Sequence, residues 1–181
     1  MAGVVEAVGR GAADRLLVSA GTGKGISLFL VDAKAPGVAV RSYMTQDGAR
    51  AAEVRLDNVS VGADAIVGAQ DGALPAIERA LDYGIAALCA ESVGIMAALD
   101  EATLEYLKTR KQFGQPIGRF QALQHRMVDM VIATEQARSM AMMAAVKADS
   151  TDAAERRRAL SAARAYIGQQ ARFVGQQAVQ L

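Results

Sequence analysis

LEYLKTRKQFGQPIGRFQALQHR, residues 104–126, contains the end of one apolar periodicity, a Gly/Pro-bearing turn and the start of a second periodicity. A long segment with helical spacing runs out in Lys108, Arg110 and Lys111. Gly114 and Pro116 interrupt the pattern, and helical spacing resumes after Phe120. The stretch reads as a helical hairpin corner. Arg110, Gln112, Phe113, Gly114, Phe120 and Gln121 gather there. A guanidinium can make bidentate bonds to phosphate oxygens, and a nearby ring can cover an adenine face. The corner therefore suits a phosphate-bearing cofactor. The same residues also fit a helix C-terminus with a basic last turn and a glycine stop.

On the N-terminal side of the corner, Ile77, Leu81, Ile85, Leu88, Met96, Leu99, Thr103 and Tyr106 recur at steps of three, four or a double step. This predicts one long helix from Leu74, with Pro75 in its first turn. Gly84 and Gly94 lie inside it. Each costs about 0.5–1 kcal/mol relative to Ala, which marks close approach of another backbone or a ligand. On the C-terminal side, Phe120, Leu123, Met127, Met130, Thr134, Ala137 and Ala141 give the inner stripe of a second helix, from about Arg119 to Lys147. Asp152 with Glu155 reads as a capping box. A third helix follows, carrying Leu160, Ala163, Ile167, Ala171, Val174 and Leu181. Short corners make neighbouring helices antiparallel. Three helices leave one flank of a bundle bare, so a fourth helix or a partner subunit is needed to cover it.

Residues 15–62 read as strands. LLVSA (16–20) is short and apolar. GISLFLVD (25–32) is apolar on both faces, as a central strand is. Val38 and Val40 alternate with Ala39 and Arg41. RAAEVRLDNV (50–59) alternates with one wet face. Ala35-Pro36-Gly37 and Asp47-Gly48 are turn signals. About four short strands predict an antiparallel sheet with open edges. The whole is α+β: a partial antiparallel β-domain over residues 1–70, then three long antiparallel helices of an incomplete four-helix bundle over 71–181.

Composition removes several function classes. Twenty basic against nineteen acidic residues predict no binding along nucleic acid or an anionic membrane. The single cysteine, Cys89, excludes an intrachain disulfide and a zinc site of paired cysteines, and fits a reducing, cytoplasmic compartment. No uninterrupted apolar run reaches the roughly 18 residues of a spanning helix, and the N-terminus does not read as a signal peptide. His125 is the only histidine, so no metal role is expected, and Cys89 reads as a small core residue. Glu91, Asp100, Glu101 and Glu105 read as a solvated face, and Arg156-Arg157-Arg158 as solvated or an intersubunit contact. Glutamines 169, 170, 176, 177 and 180 form a polar stripe that fits a helix interface or a ligand-lining edge. GTGKG (21–25) lacks a Ser/Thr after its lysine and leads into a strand, so it reads as a hairpin loop rather than a phosphate loop.

Tyr106, Arg110-Lys111-Gln112-Phe113-Gly114, Phe120-Gln121 and Met127-Val128-Asp129-Met130 together resemble the acyl-CoA dehydrogenase family. SLFLVDAKAPGV and VRLDNVSVGADAIVG resemble the end of that family's middle β-domain, and QQAVQL resembles the segment before its Gly-Gly turn. The resemblance implies FAD bound between subunits of a homodimer or homotetramer. It implies α,β-dehydrogenation of an acyl-CoA thioester: a carboxylate removes the α-proton, the β-hydrogen leaves as hydride to the flavin, and the electrons pass to an electron-transfer flavoprotein. It implies that Arg110 contacts the FAD pyrophosphate of the neighbouring subunit, that Phe113 and Gln121 meet the same cofactor, and that Gln180 lines its adenine end.

The departures from the family pattern are equally specific. The N-terminal helical domain, the flavin-contacting Thr/Ser segments and the segment that usually carries the catalytic glutamate have no counterpart here. Where some members carry the base on the first bundle helix, this chain has Gly84, and a neighbouring family arginine aligns with Ile85. No catalytic residue is therefore expected in this chain, which reads as an inactive fragment. A non-catalytic subunit of a heteromeric dehydrogenase, a cofactor-free assembly module and an acyl-CoA oxidase are the alternatives.

Overall fold

The computed structural model describes residues 3–8, as backbone, and 13–181. The chain forms two compact units, Met1–Ile77 and Glu78–Leu181. The fold class is α+β, as the alternating and helical periodicities require.

The first unit holds β1 (Gly3–Val8), β2 (Arg15–Gly21), β3 (Ile26–Asp32), β4 (Val38–Met44), β5 (Arg50–Leu56) and the short β6 (Ile66–Val67). They form two antiparallel three-stranded sheets, β1-β5-β4 and β2-β3-β6, rather than one four-stranded sheet. β3, apolar on both faces, is central in its sheet, with Leu28 and Val31 buried. β5 is central in the other, burying Ala52 and Val54 while its outward Glu53 pairs with Arg41 at 2.7 Å. GTGKG is the β2–β3 hairpin loop, with Gly21 opposite Ile26 and Thr22 N donating to Gly25 O. Gly25 is required for another reason: an added Cβ would lie 2.3 Å from the carbonyl oxygen of Asp71. The buried Ser27 Oγ accepts from Asp71 N at 2.8 Å, and Thr22 Oγ1 bonds the Asp71 carboxylate. The loop thus clamps the turn from which the first helix departs.

The second unit is built from α1 (Leu74–Thr109), whose first turn still belongs to the β unit, α2 (Gln121–Ala148) and α3 (Ala153–Gln180). α2 and α3 pack closely. Buried Ala133, Ala137, Ala144 and Ala148 leave room for Leu160, Ile167 and Val174, while Met96 and Met130 fill the centre. Each such large apolar side chain contributes about 1.5–3 kcal/mol when buried. That outweighs exposed ion pairs such as Arg138–Glu135, worth at most about 1 kcal/mol. Asp152 caps α3 by accepting from Ala154 N and Glu155 N. Glu155 does not return the bond. Its carboxylate takes Lys147 Nζ and Ser150 Oγ instead. Those donors hold the Glu155 carboxyl below its usual range, and the two backbone N–H groups do the same for Asp152.

Two expectations are corrected. The stripe that α1 buries is Asp82, Cys89, Val93, Met96, Thr103 and Leu107. Leu81, Leu88 and Tyr106 are 61%, 60% and 50% exposed, so the predicted face is partly the outer one. The Arg156–Arg158 run is not uniformly solvated. Arg156 is buried, and its Nε lies 2.6 Å from Asp82 Oδ2; Arg157 pairs with Glu78 at 3.4 Å.

α1 is long and apolar enough to cross a membrane by length and composition, although charged residues interrupt it, and little of its most apolar stretch is buried. Beyond their own helix, Gly84 and Gly94 have no atom of the described residues within 4 Å of a built Cβ, so neither marks a close approach among those residues.

Candidate functional site

The corner between α1 and α2 is more structured than a helical hairpin turn. Tyr106 O accepts from Arg110 N at 2.8 Å, which ends α1, and Arg110 O accepts from Ile117 N at 2.9 Å. Between those bonds sits a small hairpin, β7 (Lys111–Gln112) and β8 (Gln115–Pro116). Its two-residue loop is Phe113-Gly114, with φ of 54° and 78°. Two positive φ values are the pattern of the type I′ turn. For phenylalanine that conformation costs about 1–2 kcal/mol. A 3-10 turn, Ile117–Arg119, then leads to Phe120, which precedes α2 with extended backbone.

The strained turn raises Phe113 to the surface, where it is 90% exposed. Its ring meets Phe120 edge-on, with centroids 6.1 Å apart and planes at 86°. Such a contact is worth about 0.5–1.5 kcal/mol and offsets part of the strain. Arg110 is exposed and pinned by its backbone on both sides. Among the described residues none of Lys108, Arg110, Lys111 and Arg119 has a carboxylate partner. The corner presents free cations and a bare ring on a rigid support.

Gln121 opens α2 and is exposed, on the same corner as Arg110 and Phe113. Gln180 lies in the last turn of α3. Arg126 Nε donates to Gln177 Oε1 at 2.8 Å, joining the start of α2 to the end of α3. Gln180, one turn beyond Gln177, therefore sits at the corner's end of the bundle. His125 is exposed, and no group of metal-binding side chains occurs among the described residues.

Residues outside the predicted set hold the corner in place. Gln124 Nε2 donates to Gly118 O at 2.8 Å. Gly118 lies so close to α1 that a Cβ there would be 2.8 Å from Leu107 O. Gly118→Ala is expected to cost about 1–3 kcal/mol by overpacking, measurable as a lower urea midpoint at unchanged slope. The sequence signal was a second glycine four residues after Gly114, which the turn reading had absorbed.

Of the carboxylates read as a solvated face, Asp100 departs. Its Oδ1 and Thr134 Oγ1 are buried, and among the described residues neither makes a well-formed hydrogen bond. Burial pushes the Asp100 carboxyl up; the Thr134 hydroxyl opposes this and the Glu135 charge adds to it. A raised folded-state pKa gives a contribution that is full below the unfolded value, about 3.9. It is lost as pH rises through the folded value. Asp100→Asn should therefore gain in melting temperature relative to the unsubstituted chain as pH rises above about 4. A difference that stays constant as pH rises contradicts the assignment. Cys89 is inert by the same physics: burial raises its thiol pKa against the opposing charge of Arg164.

The family model "Acyl-CoA dehydrogenase, C-terminal domain" matches residues 71–181. The probable acyl-CoA dehydrogenase YngJ of Bacillus subtilis (strain 168) is 37% identical over 139 residues, covering 72% of this chain and 37% of YngJ. The solved structure titled "PigA with FAD and proline" superposes with a TM-score of 0.84 at 28% identity, over 93% of this chain and 46% of that one. The ChsE4-ChsE5 complex from Mycobacterium tuberculosis gives 0.80 at 28%, over 98% and 47%. The chain thus spans less than half the length of each of these proteins.

Proposed function

This chain belongs to the acyl-CoA dehydrogenase family, and we propose that it is part of a FAD-dependent oxidoreductase that introduces an α,β double bond into an acyl-CoA thioester. The observation that carries the reading is the corner: an arginine with no carboxylate partner among the described residues and a strained, well-presented ring, with Gln121 on the same corner. These residues fit a dinucleotide arm. Arg110 would pair with the pyrophosphate, Phe113 would cover an apolar part of the cofactor, and Gln121 and Gln180 would donate to or accept from it. The flavin supplies the hydride acceptor for the reaction. We read residues 1–70 as the end of a β-domain and 71–181 as the C-terminal bundle.

The site is half of one. Arg110 has no ion-pair partner among the described residues, and Phe113 stays 90% exposed beyond its edge-on contact with Phe120, so the proposal places the cofactor between subunits of a homodimer or homotetramer. Further protein would cover the apolar outer face of α1 at Leu81, Gly84 and Leu88, and we take that face as a protein contact rather than a lipid one. An electron-transfer flavoprotein as acceptor and cytoplasmic residence complete the proposal. The chain by itself supplies no base for α-proton removal, since Gly84 has no side chain and Ile85 is apolar, and is inactive alone. The test is to purify the longer protein carrying this chain. It should be yellow and bleach anaerobically with an acyl-CoA. A colourless product that responds to no acyl-CoA defeats the reading.

A second reading is favoured by Gly84 and Ile85 and by the likeness to a two-component complex. In it this chain belongs to a non-catalytic subunit of a heteromer. Co-purification with a second, complete family member supports that reading, and a fully active homomer excludes it.

A further inference from the structure

A cleft of about 490 Å³ opens between the end of α1 and the start of α2, and Arg110, Phe113 and Gln121 do not line it. Its size falls within the roughly 300–1,000 Å³ of small-molecule sites. The floor is Leu107 and Met127, both buried, and Val128 forms a wall that is 54% exposed. The floor cannot subside, because Gly118 is packed against Leu107 O with no room for a Cβ. The cleft is poor in free donors along its walls. Pro116 has no N–H, and Gln124 spends an amide hydrogen on Gly118 O. The charges at the mouth are Lys108 and Arg119, both exposed and without a carboxylate partner among the described residues. No acidic residue lines the cleft.

An apolar floor under two unpaired cations selects a ligand with an apolar body and one anionic head. We propose that this cleft binds a small amphiphilic carboxylate, its hydrocarbon tail on Leu107 and Met127 and its carboxylate between Lys108 and Arg119. The arginine fork reads the planar head, and the lysine adds a point charge. The proposal does not depend on FAD or on the dehydrogenase reading.

Octanoate titrated into the full chain tests it, followed by calorimetry and by the Met127 methyl resonance. Saturable binding that shifts Met127 is expected. Octylammonium, with the same tail and the opposite head, should not bind. Lys108→Gln with Arg119→Gln should weaken octanoate at least tenfold, and so should Val128→Glu, which sets an anion at the mouth. All three positions are exposed, and unchanged melting temperatures will show that the variants fold. A Met127 resonance that octanoate does not move overturns the proposal. So does equal binding of octanoate and octylammonium, or an affinity unaltered in the double variant.

Discussion

Arg156→Ala should lower the unfolding free energy by about 3–5 kcal/mol, the largest effect expected of a single substitution in the bundle. Arg156 and Asp82 are each 7% exposed in their side chains, and their 2.6 Å contact joins α3 to α1. Removing the guanidinium leaves the Asp82 carboxylate buried and uncompensated, which costs far more than the pair itself contributes. A second loss follows. Arg156 Nη1 also donates to Ser150 O at 2.8 Å, beside Arg79 Nη1 at 3.0 Å. That carbonyl sits in the turn between α2 and α3, and Tyr83 Oη donates to Asp149 Oδ1 at 2.7 Å in the same turn. Replacing both partners, Asp82→Leu with Arg156→Met, should recover most of the stability or exceed it, because the desolvation penalty then vanishes for both ions. Urea unfolding of the two single variants and the double variant measures the coupling directly. A single variant that costs less than about 1 kcal/mol would show that the pair behaves as an exposed one.

Arg110→Ala in the longer protein should weaken FAD binding by one to two orders of magnitude. Hydrogen bonds to a charged group contribute about 1.5–3 kcal/mol, which corresponds to roughly that range. The bundle itself should melt unchanged, since the Arg110 side chain is exposed and carries no ion pair among the described residues. Arg110→Lys should restore only part of the affinity, because an ammonium keeps the charge and loses the fork. Fluorescence titration of the apoprotein with FAD reads all three. Retention of FAD at full strength in Arg110→Ala would return the corner to plain architecture: a helix stop with a basic last turn.

The stripes of α2 and α3 were legible in the sequence because their helical spacing picks out residues that are buried, although α2 also leaves Val128, Ile132, Met142 and Val146 exposed. Met127, Met130, Ala137, Leu160, Ile167 and Val174 are buried as their spacing predicts. α1 resisted the same reading. It is apolar nearly all round, so a helical stripe can be drawn in two phases, and the phase through Leu81 and Leu88 is the more apolar one. The buried phase passes through Asp82, a residue that periodicity never selects for a core. Its burial is bought by an arginine 74 positions away, within a run of three that reads locally as solvated. β1 was missed because six residues of weak alternation carry little signal without the β5 partner that organises them. The corner was found by its glycine and proline, yet its hairpin and the exposure of Phe113 depend on a φ of 54° that no residue preference announces. The role of Gly118 needs the Leu107 carbonyl, which lies on another helix.

The spacing of contacts along the bundle also orders its motions. α2 and α3 are joined by only four residues, 149–152, and pack closely, so their contacts close short loops and can form early. The link from α1 to α3 through Asp82 closes a loop of 74 residues and must come later. In native-state hydrogen exchange, amides of the α2–α3 pair around Ala137 and Ala163 should open only with the whole unit. Amides in the first turns of α1 should exchange through a smaller opening whose free energy is set by one guanidinium.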